Sequence, residues 1–150
     1  MRQIALIACC KEKLYAPGEG SAAAGELYIG QLFRAQLAYA RHRLPDEQIY
    51  ILSAKYGLVG VGQQIQSYEQ TLNKMNMAQR LTWAWDVERA FGRLCPSAAI
   101  VWMMAGQAYR ENLVELLAQR GVVVVQPHPA GFGYGQQVQW YNRELGGVVA

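Results

Sequence analysis

The sequence has few cysteines and few charges, and both shortages limit what the protein can be. Its three cysteines are Cys9, Cys10 and Cys95, and the first two are adjacent, which is poor geometry for a bridge between them. We therefore expect no disulfide framework and a reducing, cytoplasmic setting. Charged residues make up 17% of the chain and the net charge is +3. This permits an anionic partner but lacks the dense basic patch of a typical nucleic-acid-binding domain.

Long apolar runs and known ligand motifs are absent as well. The longest apolar runs, such as 98–105, are too short to span a bilayer, so we expect no membrane association. The first run, 4–8, ends in Cys-Cys-Lys-Glu-Lys, which predicts a first strand and not a signal peptide. The cysteines and the two histidines lack metal-ligand spacing. No GxxxxGK[ST] occurs, and no GxGxxG lies between the first strand and its helix. We expect neither a metal nor a cofactor.

What the sequence does contain is an alternation of apolar runs and helical patterns. The apolar runs predict four strands, at 4–8, 48–52, 99–105 and 122–125. Helical spacing predicts helices over 27–44, from an Asn76 cap to about Leu94, from about 107 to a C-capping Gly121, and over a last segment with Val138, Tyr141 and Leu145. We read 15–26 and 57–75 as loops. The pattern indicates one α/β domain, 1–150, with a mostly parallel sheet of about four strands flanked by helices.

Polar residues follow each predicted strand. The four segments are Cys9–Lys13, Ser53–Gly57, Gly106–Tyr109 and Gln126–Pro129. Because the carboxyl ends of parallel strands meet at one edge of a sheet, we expect these segments to converge on a ligand site. Their cations, hydroxyls and glycine amides suit a phosphate, and their aromatic rings suit a base. The predicted substrate- or phosphate-binding residues are Cys10, Lys11, Lys13, Ser53, Lys55, Tyr56, Gly57, Tyr68, Asn73, Gly106 and Tyr109. The alternatives are solvated lysines and small buried cysteines.

Glu69 is the predicted catalytic residue. It lies in a connection between Tyr68 and Thr71 rather than on a helix face, where a carboxylate could act as a general base or stabilise a cationic sugar transition state. The alternative is an exposed loop glutamate.

Tyr28 and His128 are further candidates, although a histidine between two prolines also suits a loop residue packed on its neighbours. The four tryptophans, at 83, 85, 102 and 140, fit core positions better than stacking platforms.

Several segments resemble a small, uncharacterised bacterial and phage family of about this length. They are Ile7–Leu14, Leu27–Arg34, Ile51–Leu58, Tyr68–Asn73 and Gly131–Gly135, and they span nearly the whole chain. The combination of Leu-Ser-Ala-Lys-Tyr-Gly-Leu with Leu-Tyr-x-x-x-Leu-Phe is fairly specific. The resemblance implies a setting in phages and mobile elements, where nucleic-acid bases are modified or removed.

A more distant likeness is to the peroxide-stress protein YaaA family. Tyr56, Gly57, Leu58 and Tyr68 match its pattern, whereas Lys55, the Thr71-Leu72-Asn73 tail and Ser67 depart from it. This likeness implies DNA binding and a role in oxidative stress.

These observations lead to three functional hypotheses. The first is a nucleic-acid or nucleotide-handling enzyme that cleaves an N-glycosidic bond, with DNA preferred to RNA as the polymer. In it Glu69 acts on the sugar, Ser53 and Lys55 hold phosphate or the base edge, and Tyr28, Tyr56 or Tyr109 stacks the base. The second is a non-catalytic DNA-binding stress protein of the YaaA type. The third is a small-nucleotide-binding module. The oligomeric state stays open.

Overall fold

The computed structural model describes residues 1–149, with side chains described through Leu145. Its strands are β1 (Arg2–Ala8), β2 (Ser21–Ala23), β3 (Ile49–Ser53), β4 (Gly57–Gly60), β5 (Gln64–Gln66), β6 (Ala99–Met104) and β7 (Val123–Val125). Its helices are α1 (Ala24–Leu27), α2 (Gln31–Arg41), α3 (Met77–Leu94), α4 (Gln107–Arg110), α5 (Leu113–Gln119) and α6 (Tyr134–Val149). Short 3-10 turns lie at Asp46–Gln48 and Leu72–Lys74. The α/β class is confirmed.

The main sheet has five strands in the order β4-β3-β1-β6-β7. Strand β1 runs parallel to both β3 and β6, and β6 runs parallel to β7. The prediction of a mostly parallel sheet is confirmed, but the predicted count of four strands was too low. The fifth strand, β4, pairs antiparallel with β3 at the edge of the sheet. Gly57 and Gly60, the first and last residues of β4, made the sequence look like a flexible connection.

A tight turn joins β3 to β4. Gly57 ends this turn at φ +73°, a left-handed conformation that glycine adopts without steric cost. The segment predicted as a loop over 15–26 also contains structure, since β2 pairs antiparallel with β5 in a small second sheet. Short strands of Ser, Ala and Gln carry little intrinsic strand signal, so only their pairing reveals them.

The central strand is covered on both faces. Ile4, Ala5, Leu6 and Ile7 are all buried although their side chains alternate between faces. Helix α2 packs against α6, and α3 packs against α5. The connection through α2 leads from β1 to β3, on one side of β1 in the sheet. The connection through α3 leads back past β1 to β6, on its other side. Because both connections are right-handed, the two helix pairs lie on opposite faces of the sheet.

Helix α3 begins as predicted, but one of the tryptophans predicted for the core lies outside its buried face. Asn76 and Gln79 form the expected capping box. The buried stripe is Trp83, Ala84, Val87 and Phe91, which follows the i, i+4, i+8 spacing of one helix face. Trp85 is therefore on another face and is 48% exposed, so its placement in the core was wrong. The predicted C-cap Gly121 is confirmed by its positive φ of +85°.

The strand order fixes where a ligand crevice can form. The chain leaves β1 toward β3 on one side, and later strands extend from β6 on the other. The connections that follow β1 and β6 therefore diverge and open a crevice at the carboxyl ends of these two strands. Among the described helices, none has the length and apolar character needed to cross a membrane.

Candidate functional site

Two cavities open at the carboxyl end of β1. The larger, about 700 Å³, has walls from Lys11, Lys13, Lys74, Tyr15, Tyr68 and Glu69, and we call it the lysine cleft. The smaller, about 360 Å³, has walls from Glu12, Phe33, Gln36, Gly106, Gln107, Tyr134 and Gln137, and we call it the amide pocket. Cys9, Cys10, Asn73 and Tyr109 line both cavities. Both volumes fall within the roughly 300–1,000 Å³ of small-molecule sites.

The residues that line both cavities are each held by hydrogen bonds to protein groups. The Cys9 Sγ lies 3.3 Å from the Tyr109 hydroxyl, which also accepts a bond from the Leu72 backbone N–H at 3.5 Å. Cys10 Sγ donates to the Glu12 carbonyl oxygen at 3.3 Å. Burial raises the pKa of the Cys10 thiol, and burial followed by the neighbouring Cys9 raises the pKa of Tyr109. Because a thiol is a weak nucleophile, Cys10 is better suited to lining the cavities than to attacking a substrate.

A buried hydroxyl network holds one wall of the lysine cleft. The Tyr68 hydroxyl lies 2.7 Å from that of Tyr28 and 2.8 Å from that of Ser53. Ser53 in turn accepts from the Tyr56 backbone N–H at 3.0 Å, and its carbonyl oxygen accepts from the Trp83 indole at 2.9 Å. Burial is the first cause of the raised pKa values of Tyr28 and Tyr68. The network is therefore neutral and anchors the segment that carries Glu69.

This network changes two of the predicted roles. Ser53 and Tyr28 are both completely buried. The Ser53 hydroxyl is already bonded to protein groups, so it does not face a ligand in this structure, and the Tyr28 ring has no free face on which a base could stack. Ser53 and Tyr28 support the cleft from beneath. Tyr68 is the member of the network that reaches the cleft wall.

Three lysines bring positive charge to the lysine cleft. The Lys13 ammonium lies 4.7 Å from the centre of the Tyr68 ring and 5.7 Å from that of Tyr28, a cation–π arrangement that restricts the side chain. Lys11 and Lys74 are exposed at the cleft edge. Glu69 is exposed in the same cleft. The cleft thus combines cations, aromatic rings and one carboxylate.

Besides Ser53 and Tyr28, four more predicted residues lie outside both cavities. Three of them follow β3, which continues into a hairpin rather than ending at the crevice. Lys55 is exposed on this hairpin, with its ammonium 5.3 Å from the centre of the Tyr56 ring. The Tyr56 hydroxyl donates to the Gln66 carbonyl oxygen at 3.3 Å. Gly57 ends the turn between β3 and β4 with its positive φ. His128 is buried beside α6, where its Nδ1 lies 2.7 Å from the Tyr141 hydroxyl.

Several lining residues were not predicted. Lys74, Gln36, Tyr134 and Gln137 line a cavity without having been singled out, whereas Glu12 and Gln107 line one from within the predicted segments Cys9–Lys13 and Gly106–Tyr109. Gln36 could have been noticed in the sequence, because it lies on the apolar stripe of α2. A buried amide at such a position needs a hydrogen-bond partner. Tyr134 and Gln137 reach the pocket from α6, near the end of the chain, and no local pattern predicts that contact. In residues 1–145, no three His, Cys, Asp or Glu side chains are grouped to hold a metal ion.

Comparison with known proteins places the chain in a family. No curated protein matches it. A family model does match, and the match extends over residues 4–143, which includes both cavities and every strand of the sheet except the first two residues of β1. The chain therefore belongs to the family of unknown function DUF6884.

Proposed function

We propose that the protein handles nucleotides or nucleic acid and cleaves an N-glycosidic bond, with Glu69 as the catalytic carboxylate. The observation that supports this proposal is the content of the lysine cleft, where Lys11, Lys13 and Lys74 surround a space of about 700 Å³ that also exposes Glu69. The cleft lies at the carboxyl ends of parallel strands, the usual ligand position in an open α/β sheet.

The lysines suit the phosphate of such a substrate. Ammonium groups are point charges that bind phosphate oxygens without a fixed direction, and three of them around one cleft match a dianionic group or two successive backbone phosphates. The rings of Tyr15 and Tyr68 add apolar walls. A sugar phosphate would place its charge on the lysines and its ring against these walls.

In the proposed reaction Glu69 acts on the sugar. Its neighbour Tyr68 is fixed by the two hydroxyl bonds to Ser53 and Tyr28, so the backbone that carries the carboxylate is held at the cleft wall. In the proposed step the C1′–N bond breaks and its electron pair leaves with the base. A water oxygen bonds to C1′, Glu69 takes the proton of that water, and the base nitrogen gains a proton from solvent. The negative charge of Glu69 also stabilises the oxocarbenium-like sugar.

The test is base release from DNA, RNA and mononucleotides, detected by mass spectrometry at two salt concentrations. We expect salt-sensitive binding and released base with the wild type, and loss of release with Glu69→Gln while binding persists. Glu47→Gln is the matched control, because Glu47 is also exposed but lies on the 3-10 turn before β3. Full activity of Glu69→Gln would overturn the mechanism.

The same experiment separates the other hypotheses. Salt-sensitive DNA binding without released base would favour a non-catalytic DNA-binding protein of the YaaA type, in which Glu69 changes have little effect. Binding of mononucleotides as tight as that of oligonucleotides, with little salt dependence, would favour a small-nucleotide-binding module. Absence of binding at either salt concentration would overturn the proposed function.

A further inference from the structure

We propose that the amide pocket is a nucleobase subsite that prefers bases with an exocyclic amino group. The ligand would then straddle the carboxyl end of β1, with its base in the amide pocket and its phosphate in the lysine cleft. The phosphate half of this statement rests on the proposed function. The base half rests on the amide pocket alone and is tested separately.

The chemistry of the pocket walls points to a neutral, flat, hydrogen-bonding group. Four residues with side-chain amides line it, Gln36, Asn73, Gln107 and Gln137, together with Glu12. Two of these amides also donate to protein groups, Gln137 to the Phe132 carbonyl oxygen at 2.9 Å and Asn73 to the Thr71 hydroxyl at 3.3 Å. All of its lining residues belong to the described part of the chain, and none of them is Lys, Arg or His. Such walls do not favour an anion. Amides pair with the donor and acceptor edges of bases, and carboxylates accept from amino groups such as that of cytosine.

The aromatic residues of the pocket suit a flat ring. Phe33 is buried in the wall, and Tyr134 is 57% exposed at the mouth. The Tyr134 hydroxyl accepts a bond from the Leu32 backbone N–H at 3.3 Å, which ties the ring to the start of α2. An exposed ring held at one end provides a stacking surface, which every base can use.

The position of the pocket connects it to the lysine cleft. It lies between the carboxyl ends of β1 and β6, at the point where the strand order reverses. Because Cys9, Cys10, Asn73 and Tyr109 line both cavities, the two cavities adjoin at these residues, and in our proposal one ligand spans this boundary. The sugar of a nucleotide would lie over these four residues, with the glycosidic bond at the boundary.

Gly106 provides the decisive variant. It lines the amide pocket, its φ is −73°, and a Cβ added there meets no atom within 4 Å. Gly106→Leu should therefore fold normally and fill space that the base would occupy. Gly62→Leu is the matched control, because a Cβ at Gly62 also meets no atom within 4 Å and the residue lines neither cavity.

The experiment compares binding of dAMP, dCMP, dGMP and dTMP with binding of 2-deoxyribose 5-phosphate by titration calorimetry. Stacking alone predicts that all four nucleotides bind about tenfold more tightly than the sugar phosphate, and the amino groups of dAMP, dCMP and dGMP add hydrogen bonds to this. We expect dTMP to bind more weakly than these three. Gly106→Leu should bring all nucleotides to the level of the sugar phosphate, Gly62→Leu should change nothing, and Glu12→Gln should reduce the discrimination against dTMP.

The outcomes separate this inference from the proposed function. Equal binding of nucleotides and sugar phosphate, or unchanged nucleotide binding by Gly106→Leu, would overturn the subsite. Equal binding of dTMP and the amino-bearing nucleotides would overturn the preference for an amino group. Base-dependent binding that Gly106→Leu removes, without any base release by the wild type, would support the subsite and overturn glycosidic cleavage. Base release with an unchanged KM in Gly106→Leu would support glycosidic cleavage and overturn the subsite.

Discussion

The hydroxyl groups of Ser53 and Tyr68 lie 2.8 Å apart in the interior of the protein. Ser53 is the last residue of β3, and Tyr68 directly precedes the proposed catalytic Glu69. This one hydrogen bond therefore ties the end of a sheet strand to the segment that forms the wall of the lysine cleft. The Tyr28 hydroxyl, 2.7 Å from that of Tyr68, completes the connection.

Tyr68→Phe should destabilise the protein. The change leaves the buried Tyr28 hydroxyl without its partner, and an unpaired buried hydroxyl costs about 1–3 kcal/mol. Urea unfolding measures the loss. The double variant Tyr28→Phe, Tyr68→Phe should lose less than the sum of the two single variants, because the two residues share one bond. Tyr15→Phe, whose ring is exposed in the same cleft, should stay within about 0.5 kcal/mol of the wild type. A similar loss in Tyr15→Phe would contradict the role of the network.

Removal of positive charge from the lysine cleft should weaken nucleic-acid binding and its dependence on salt. We expect the slope of log K against log salt to fall by about one unit for each phosphate contact removed. Lys13→Gln and Lys74→Gln test this in a salt titration of DNA binding. Lys55→Gln is the control, since Lys55 is exposed but lines neither cavity. An equal effect of Lys55→Gln would show that binding follows overall charge rather than the cleft.

Gly57→Ala should cost stability through backbone conformation alone. Gly57 has a φ of +73°, and an added Cβ would meet only Val87 Cγ2 at an ordinary 3.8 Å. The left-handed conformation should cost about 1–2 kcal/mol. Gly60→Ala is the control, because Gly60 has no positive φ and a Cβ there meets no atom within 4 Å. Thermal unfolding of the two variants should differ, and equal midpoints would argue against strain at Gly57.

The stability of the protein should fall in mild acid because of His128. Burial first, and then the positive charge of Arg110, lower the pKa of His128 below its ordinary value of 6.5. The unfolded chain therefore gains a proton near pH 6.5 while the folded protein resists it. The contribution is complete above pH 6.5 and is lost progressively below it. Urea unfolding between pH 5 and 8 should show this decline in the wild type and in His42→Gln, whose imidazole is exposed. His128→Gln should show a smaller decline, and an unchanged pH dependence would contradict the assignment.

Most of the fold could be predicted from local patterns in the sequence. The strands β1, β3 and β6 are continuous apolar runs because both faces of the sheet are covered. The spacing of Asn76 and Gln79 predicted the start of α3, because a capping box is a property of four consecutive residues. These features depend on neighbours in the chain, and neighbours are visible in a sequence.

The parts that depend on distant contacts were not predictable in this way. Strand β4 becomes a strand by pairing with β3, and its glycines alone suggest a loop. Ser53 looks like a ligand residue until Tyr68 is seen to occupy its hydroxyl. Tyr134 enters the amide pocket only because α6 packs beside α2. The polar residues after the predicted strands pointed to the edge of the sheet where the two cavities open, but tertiary packing decides which side chains face these cavities.

The central position of β1 has a consequence for how the protein folds. Its neighbours in the sheet lie far along the chain, since Ala5 pairs with Ile49 and Ile7 pairs with Met104. Contacts between such distant segments require closure of long loops, which slows folding relative to helical proteins of similar size. During synthesis, neither cavity can be complete before Tyr109 has left the ribosome. The nascent chain therefore contains the first cavity-lining residues early, yet the cavities form only after most of the protein has been made.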